Sequence, residues 1–282
     1  MSQRVILISG CSSGIGLDAA RTLRGRGWRV FASCRAEADC AELRAQGFES
    51  PRLDQADETS VNAAFDEVLA ATDGRLDAVY ANGAYMIPSA VEDISRDAMR
   101  AIFETNLFGV LQMAQRALPV MRAQGHGRIV LCSSVLGLVA MRYRGPYVAT
   151  KFAMEGLFDT LRLELHDAPW ARAIHVSILE PGPIVTPIRA NARLQFERWI
   201  DWEGSAWRAQ YETFLRPRLY AADDQKPSFT NLPAAAVTRR LIHAVEARRP
   251  RPRYFITPPT WLAEAARRLL PTRLRDALFR KS

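Results

Sequence analysis

A short apolar run, Arg4-Val5-Ile6-Leu7-Ile8-Ser9, opens directly into Gly10-Cys11-Ser12-Ser13-Gly14-Ile15-Gly16-Leu17. Ile15, Ala19 and Leu23 then recur every four residues, the repeat of a helix that lays one face on a sheet. Strand, glycine turn and helix in this order constrain the fold more than anything else in the chain. The glycines allow a tight turn and close backbone approach, and the helix that follows aims its free N–H groups at whatever anion sits there. The G-x-x-x-G-x-G spacing therefore predicts a nucleotide pyrophosphate site.

The rest of the chain repeats the alternation. Strands are expected over 29–34, 48–53, 76–81, 128–132 and 174–179, with helices over 36–46, 60–71, 97–122 and 147–165 between them. Val237, Leu241 and Val245 place a further helix over 233–248, and residues 253–256 supply a seventh strand. Alternating strands and helices imply an α/β fold, a doubly wound (Rossmann) seven-stranded parallel sheet with helices on both faces. All 282 residues are read as a single domain, with 187–231 as a helical substrate lid and 258–282 as a basic helical tail.

Tyr147 and Lys151 stand four apart in the predicted helix over 147–165, so they share a face. Lysine is scarce here: the chain has 35 arginines and three lysines, Lys151, Lys226 and Lys281. A compact ammonium on a flexible stem suits a site that needs a point charge, and beside a phenol it would favour the phenolate. Taken alone, the pair also fits an exposed aromatic next to a solvated charge. Its context points to chemistry: the run Gly127-Arg128-Ile129-Val130-Leu131-Cys132-Ser133-Ser134 ends in two hydroxyls, and strand ends of an α/β sheet face the ligand crevice.

With these residues in view, the chain resembles the classical short-chain dehydrogenases/reductases from Val5 to about Thr186, and within them the branch of 17β-hydroxysteroid and retinol dehydrogenases. The resemblance implies that Asn106, Ser134, Tyr147 and Lys151 are the four catalytic residues. It implies cofactor contacts from Gly10, Ser12, Ser13, Gly14, Ile15, Gly16, Arg35, Asp54, Asn82, Tyr147, Lys151, Pro181, Gly182 and Thr186. In those roles Tyr147 exchanges a proton with the substrate oxygen, Ser134 hydrogen-bonds that oxygen and Asn106 anchors a water relay to Lys151. Lys151 lowers the phenol pKa and holds the nicotinamide ribose. Two departures stand out: Ser9 replaces the usual threonine, and Ala81-Asn82-Gly83-Ala84 replaces the commoner Asn-Asn-Ala-Gly. Serine keeps the hydroxyl and Asn82 keeps an amide for backbone or ribose, while the swapped order of Gly83 and Ala84 bears on the turn.

Cofactor choice rests on Ala32-Ser33-Cys34-Arg35. An aspartate at the end of the second strand would bind the ribose 2′-hydroxyl; Cys34 holds that position, and the Arg35 guanidinium suits a phosphate. NADP(H) is expected, with Ser33 as a second phosphate contact. The other reading has Arg35 merely starting an exposed helix.

The segment 187–231 carries Phe196, Trp199, Trp202, Trp207, Tyr211, Phe214, Tyr220 and Phe229. Such a lid suggests a bulky hydrophobic carbonyl or alcohol, of steroid, retinoid or long-chain type. Equally, the aromatics could pack the segment onto its own domain or a partner subunit. Tyr85, Met86, Met141 and Tyr143 are further pocket candidates.

Residues 239–282 hold a net charge of +9, so the remainder sums to −1. The tail, with Trp261, Leu262, Leu269 and Leu270 among arginines, fits peripheral contact with an anionic membrane, or a solvated or subunit-packing helix. No nucleic-acid recognition module is visible. A cytoplasmic protein with four reduced cysteines, no metal site and a homodimer or homotetramer built by family-like helix pairing is the expectation. The chemistry competes with a non-catalytic NADPH sensor or scaffold, and with another reaction on the same fold such as an epimerisation; an intact tyrosine and lysine favour the enzyme.

Overall fold

A computed structural model describes residues 3–221 and 226–280. Six parallel strands form one sheet in the order β2-β1-β3-β4-β5-β6. They are β1 Val5–Ile8, β2 Arg29–Ala32, β3 Ala78–Ala81, β4 Gly127–Cys132, β5 Ile174–Glu180 and β6 Arg253–Phe255. The helices are α1 Gly14–Gly25, α2 Glu37–Ala45, α3 Glu58–Ala71, α4 Arg96–Phe103, α5 Gly109–Gln124, α6 Gly145–Asp167 and α7 Ile188–Trp199. After them come α8 Arg208–Gln210, α9 Arg216–Leu219, α10 Ala235–Glu246, α11 Pro258–Leu269 and α12 Thr272–Phe279.

Because successive strand residues point to opposite faces, the apolar run of β1 serves two cores at once. Val5 and Leu7 pack with Val61, Phe65, Met113 and Phe158 of α3, α5 and α6. Ile6 and Ile8 pack with Ala19, Leu23, Val237 and Leu241 of α1 and α10. Caps follow local chemistry: the Asp57 carboxylate accepts from the N–H groups of Thr59 and Ser60 ahead of α3, and Ser95 from Ala98 ahead of α4.

The sheet has six strands, not the expected seven. Residues 48–53 do run parallel to β2, but only the isolated bridges Phe31↔Glu49 and Cys34↔Arg52 form. Pro51 has no N–H to offer in the middle of the run, and the Ser50 hydroxyl bonds the Ala32 carbonyl (2.6 Å), so the ladder breaks. The helix expected over 97–122 is one rod with a defect: α4 and α5 join through a π-helical turn, Glu104–Phe108. Such turns insert an extra residue into a helix and are frequent at functional sites. Here the turn holds Asn106.

Beyond β5 the chain builds a helical layer from α7, α8, α9 and the π turn Tyr211–Leu215. Phe196 and Tyr211 are fully buried there, packing with Ile87, Ile102 and Tyr143. The Tyr211 hydroxyl donates to Asp93 and accepts from the N–H of Ala90 (2.8 Å). These aromatics therefore fasten the segment to the body of its own chain instead of lining a ligand cavity. No helix among the described residues is long and apolar enough to cross a membrane. In the tail, α11 buries Ala263 and Ala266 and leaves Trp261, Leu262 and Leu269 exposed, as α12 leaves Leu274 and Leu278; residues 281–282 lie outside the described part.

Candidate active site

The turn after β1 is shaped by what its glycines lack. Gly10 has φ +71°, and a Cβ there would stand 2.8 Å from the Cα of Gly83; a Cβ on Gly16 would stand 2.2 Å from the Gly10 carbonyl oxygen. No side chain fits at either position. The Ser9 hydroxyl accepts from the N–H groups of both Asn82 and Gly83 (3.1 Å each), so it ties β1 to the segment after β3. The Asn82 amide donates to the carbonyls of Ser9 (3.1 Å) and Gly10 (3.2 Å), serving backbone. Gly83 thus stands where the nucleotide turn approaches most closely. Ser13 begins α1 in extended conformation with no side-chain cap, and no acidic residue lies in the first turn. The N–H groups of α1 keep their partial positive charge for an anion, a cradle that fits a pyrophosphate.

Two adjoining clefts, each about 350 Å³, meet at Ile15, Asn82, Ala84 and Thr186. Gly10, Ser12, Ser13, Gly14, Arg35 and Asp54 line the first. Ser134, Tyr147, Lys151, Pro181 and Gly182 line the second. The expected site residues therefore gather along one crevice at the carboxyl ends of the strands. Gly16 lies beneath the turn, and Asn106 is fully buried.

Around Tyr147 the contacts are specific. The Lys151 ammonium donates to the Cys132 carbonyl (2.7 Å) and lies 5.4 Å from the centre of the Tyr147 ring. The Ser134 hydroxyl accepts from the N–H of Leu136 (3.1 Å) and lines the same cleft as the Tyr147 phenol. The Asn106 amide is fully engaged: its carbonyl accepts from the N–H of Tyr85 (3.1 Å), and its nitrogen donates to the Tyr85 carbonyl (2.8 Å) and the Thr150 hydroxyl (3.2 Å). Thr150 in turn donates to the Tyr147 carbonyl (2.9 Å). Asn106 thus clamps the loop after β3 to the first turns of α6.

Charge runs opposite to the expectation from i, i+4 spacing. Burial pushes the Tyr147 phenol well above its ordinary range, the nearby Cys132 thiol adds to this, and the Ser134 hydroxyl only opposes it. Burial also brings Lys151 down to about 8, against the pull of Cys132 and Glu155. Loss of water disfavours both charged forms, and the ammonium is turned to the Cys132 carbonyl. The phenol is held protonated.

At the cofactor-selecting end, Ser33 is completely buried and its hydroxyl donates to the Ile8 carbonyl (2.9 Å), so it cannot serve as a phosphate contact. The Cys34 thiol is buried too, pushed up to about 12 chiefly by desolvation, and is neutral. Arg35 is exposed on the cleft rim, where Asp39 also stands. Of the pocket candidates, Met86 and Met141 line the Tyr147 cleft, Tyr85 the adjoining one, and Tyr143 packs instead on Trp207, Tyr211 and Phe214.

Two groups escaped the sequence reading. Arg253 of β6 binds Glu155, Asp159 and Glu180 beneath α6, one turn past Lys151; only the pairing of β6 with β5 makes that meeting visible. Arg144, the residue before α6, lines the Tyr147 cleft. A cation at a helix start runs against the helix dipole, and that local breach was a readable signal.

A Rossmann-like sheet, a glycine turn and a serine, tyrosine and lysine at one crevice define a dinucleotide-dependent oxidoreductase scaffold. The chain belongs to the short chain dehydrogenase family, whose description matches residues 4–196. Within that family it has the look of the steroid and retinol dehydrogenase branch. It is 36% identical over 278 residues to the oxidoreductase YbbO of Escherichia coli K12, covering 98% of this chain and 94% of that one. It is 31% identical to human 17-beta-hydroxysteroid dehydrogenase type 1, over 91% of this chain and 78% of the relative. A solved short chain dehydrogenase/reductase from Burkholderia phymatum, in complex with NAD, superposes with a TM-score of 0.79 at 26% identity, covering 99% and 95% of the two chains.

Proposed function

We propose that this chain is an NADP(H)-dependent oxidoreductase that interconverts a carbonyl and an alcohol on a bulky apolar substrate. The observation that carries the reading is a buried phenol that lines one crevice with the Ser134 hydroxyl and the Lys151 ammonium, at the mouth that the glycine turn closes. Gly10, Gly14 and Gly16 with Ser12, Ser13 and Ile15 would hold the pyrophosphate. Arg35 would hold the 2′-phosphate and Asp54 the adenine. Lys151, Pro181, Gly182 and Thr186 would hold the nicotinamide end. When bound, the dinucleotide supplies the hydride. Tyr147 gives its proton to the substrate oxygen, Ser134 hydrogen-bonds that oxygen, and the Lys151 ammonium balances the charge left on the phenol. Asn106 keeps α6 and the Tyr85 loop in register and would anchor a water relay to Lys151. Met86, Leu136, Met141, Ile184, Ala192 and Leu219 supply the apolar walls.

NADPH consumption with a panel of large apolar ketones tests this. A purified protein that binds NADPH and turns over none of them would be a sensor or scaffold, and one that exchanges configuration without net NADPH loss would be an epimerase. For the cofactor, Arg35→Glu is expected to lower the ratio of kcat/KM with NADPH to that with NADH by about 10- to 100-fold, the loss of a charge-assisted contact. Asp39 on the same rim, and the NAD held by the Burkholderia relative, favour NAD(H) as a second reading. A wild-type preference for NADH would decide for it.

Self-association through α5 and α6 belongs to the same reading, since Phe108, Phe152 and Leu163 stand exposed beside and along them. So does contact of α11 and α12 with an anionic bilayer, through Trp261, Leu262, Leu269, Leu274 and Leu278. A monomeric mass by light scattering removes the first. Equal binding to anionic and neutral liposomes removes the second.

A further inference from the structure

The Tyr147 cleft is apolar along most of its wall, yet the charged side chains among its described lining are all cations. Arg144, Lys151 and Arg189 line it, and among the described residues no carboxylate does. Lys151 is committed to the Cys132 carbonyl. Arg144 is not committed in this way. Its hydrogen bond is a single one, from Nη1 to the neighbouring Tyr143 carbonyl (3.0 Å), which leaves most of a five-donor fork free, and among the described residues no acid pairs with it.

Three further observations make this guanidinium unusual. It caps the amino end of α6, where the helix dipole already presents positive charge and where the first turn has no acidic residue. It has lost much of its water, and burial, with the Arg218 charge in second place, lowers it to about 10. Its surroundings add more positive charge: Arg142 and Arg218 lie against the Phe214 ring at 4.6 and 3.8 Å, and among the described residues neither pairs with a carboxylate. Arg144 is half-buried, and a cation that has lost part of its water gains from an anion that compensates it. Among the described residues no carboxylate pairs with Arg144, and the glycine turn with its pyrophosphate cradle belongs to the other cleft, which Arg144 does not line.

We infer that the substrate carries an acidic group, a carboxylate or a sulfonate, on its apolar body, and that Arg144 pairs with it. Arg144 and Tyr147 line the same cleft. The acid and the reacting carbonyl then sit in one pocket, and the pairing sets which carbonyl of a larger molecule meets the phenol. Arg144 is a specificity residue on this account. The inference rests on the carbonyl-reducing reading of the site given above.

The test uses matched probes: aryl oxo-carboxylates and oxo-sulfonates, the methyl esters of the carboxylates, and the uncharged parent ketones, each followed by NADPH consumption with the full chain. The wild-type protein is expected to show kcat/KM about 10- to 100-fold higher for the acids than for their esters or parent ketones, mainly through KM. Carboxylate and sulfonate arms decide which acid is preferred. Arg144→Gln is expected to bring the acid-to-ester ratio close to one, and Arg144→Lys to keep part of the preference, with NADPH binding followed by fluorescence as the check on folding. Esters reduced as well as acids by the wild-type protein would overturn the inference while leaving the oxidoreductase reading in place. Failure to turn over any probe, with NADPH bound, would overturn both. The wild-type comparison decides even if neither variant folds.

Discussion

Replacing Tyr147 with phenylalanine is expected to lower kcat for carbonyl reduction by about 10²- to 10⁴-fold, the range over which a positioned proton donor acts. The ring is buried among Leu136, Ile87 and Tyr143, so the aromatic packing survives and only the hydroxyl is lost. The Ser134 hydroxyl keeps its bond from Leu136, and Lys151 keeps its bond to the Cys132 carbonyl. NADPH fluorescence titration and thermal unfolding of the variant should therefore stay close to wild type while stopped-flow absorbance shows the rate collapse. A residual rate within tenfold of wild type would remove Tyr147 from the chemistry. A pH profile adds the sign. Lys151, brought down to about 8, carries its charge below that pH and loses it as pH rises through it. If the ammonium balances the phenolate, reductive kcat/KM in the wild type falls above pH about 8; a flat profile from pH 7 to 9.5 would contradict that role.

Arg253→Met should cost about 3–5 kcal/mol, because it removes the cation from a buried cluster and leaves its acids behind. Glu180 is fully buried and the Glu155 side chain nearly so, and Arg253 reaches both, along with Asp159 (2.5 Å). For a chain of this size that corresponds to a loss of roughly 10 °C in Tm. Desolvation, with the Glu155 charge next, pushes Glu180 up to about 8, while Arg253 opposes the shift. Between the ordinary carboxylate range and pH 8 the folded chain then holds a proton on Glu180 that the unfolded chain has released. Stability accordingly falls as pH rises through this window and recovers as it drops. Removing Arg253 takes away the opposing charge, so the variant should be most impaired above pH 8 and regain part of its Tm toward pH 5.5. Thermal melts at the two pH values check this. A Tm within 2 °C of wild type at pH 8 would show that the cluster is not held by Arg253. The site depends on the same cluster, since Glu155 lies one turn past Lys151 on α6.

Much of the site could be read from the chain because it is written at short range. The turn at Gly10, Gly14 and Gly16 and the pairing of Tyr147 with Lys151 each depend on residues a few positions apart, and backbone sterics or helix periodicity place them wherever the rest of the chain goes. The alternation of strands and helices was legible for the same reason, in the β1 run and in the four-residue repeats of α1 and α10. Where a distant partner decided, the sequence misled or left two readings open. Residues 48–53 have the composition of a strand, but a strand also needs continuous N–H donors toward β2, and Pro51 interrupts them. The segment 187–231 is aromatic, but which way Phe196 and Tyr211 point depends on Ile87, Ala90 and Asp93, about a hundred residues earlier. Ser33 looked available to a phosphate until β1 placed the Ile8 carbonyl on its hydroxyl.

Sequence alone determined the alternation of strands and helices and which residues gather at the crevice, because apolar periodicity, glycine sterics and i, i+4 spacing are local and survive any packing. Tertiary structure alone decided their charge states and surroundings: the phenol that stays protonated, the ammonium turned to the Cys132 carbonyl, the acids gathered on Arg253 and the unmatched guanidinium of Arg144. Those properties depend on how much water each group loses and on which distant atoms replace it, and no stretch of sequence contains that quantity.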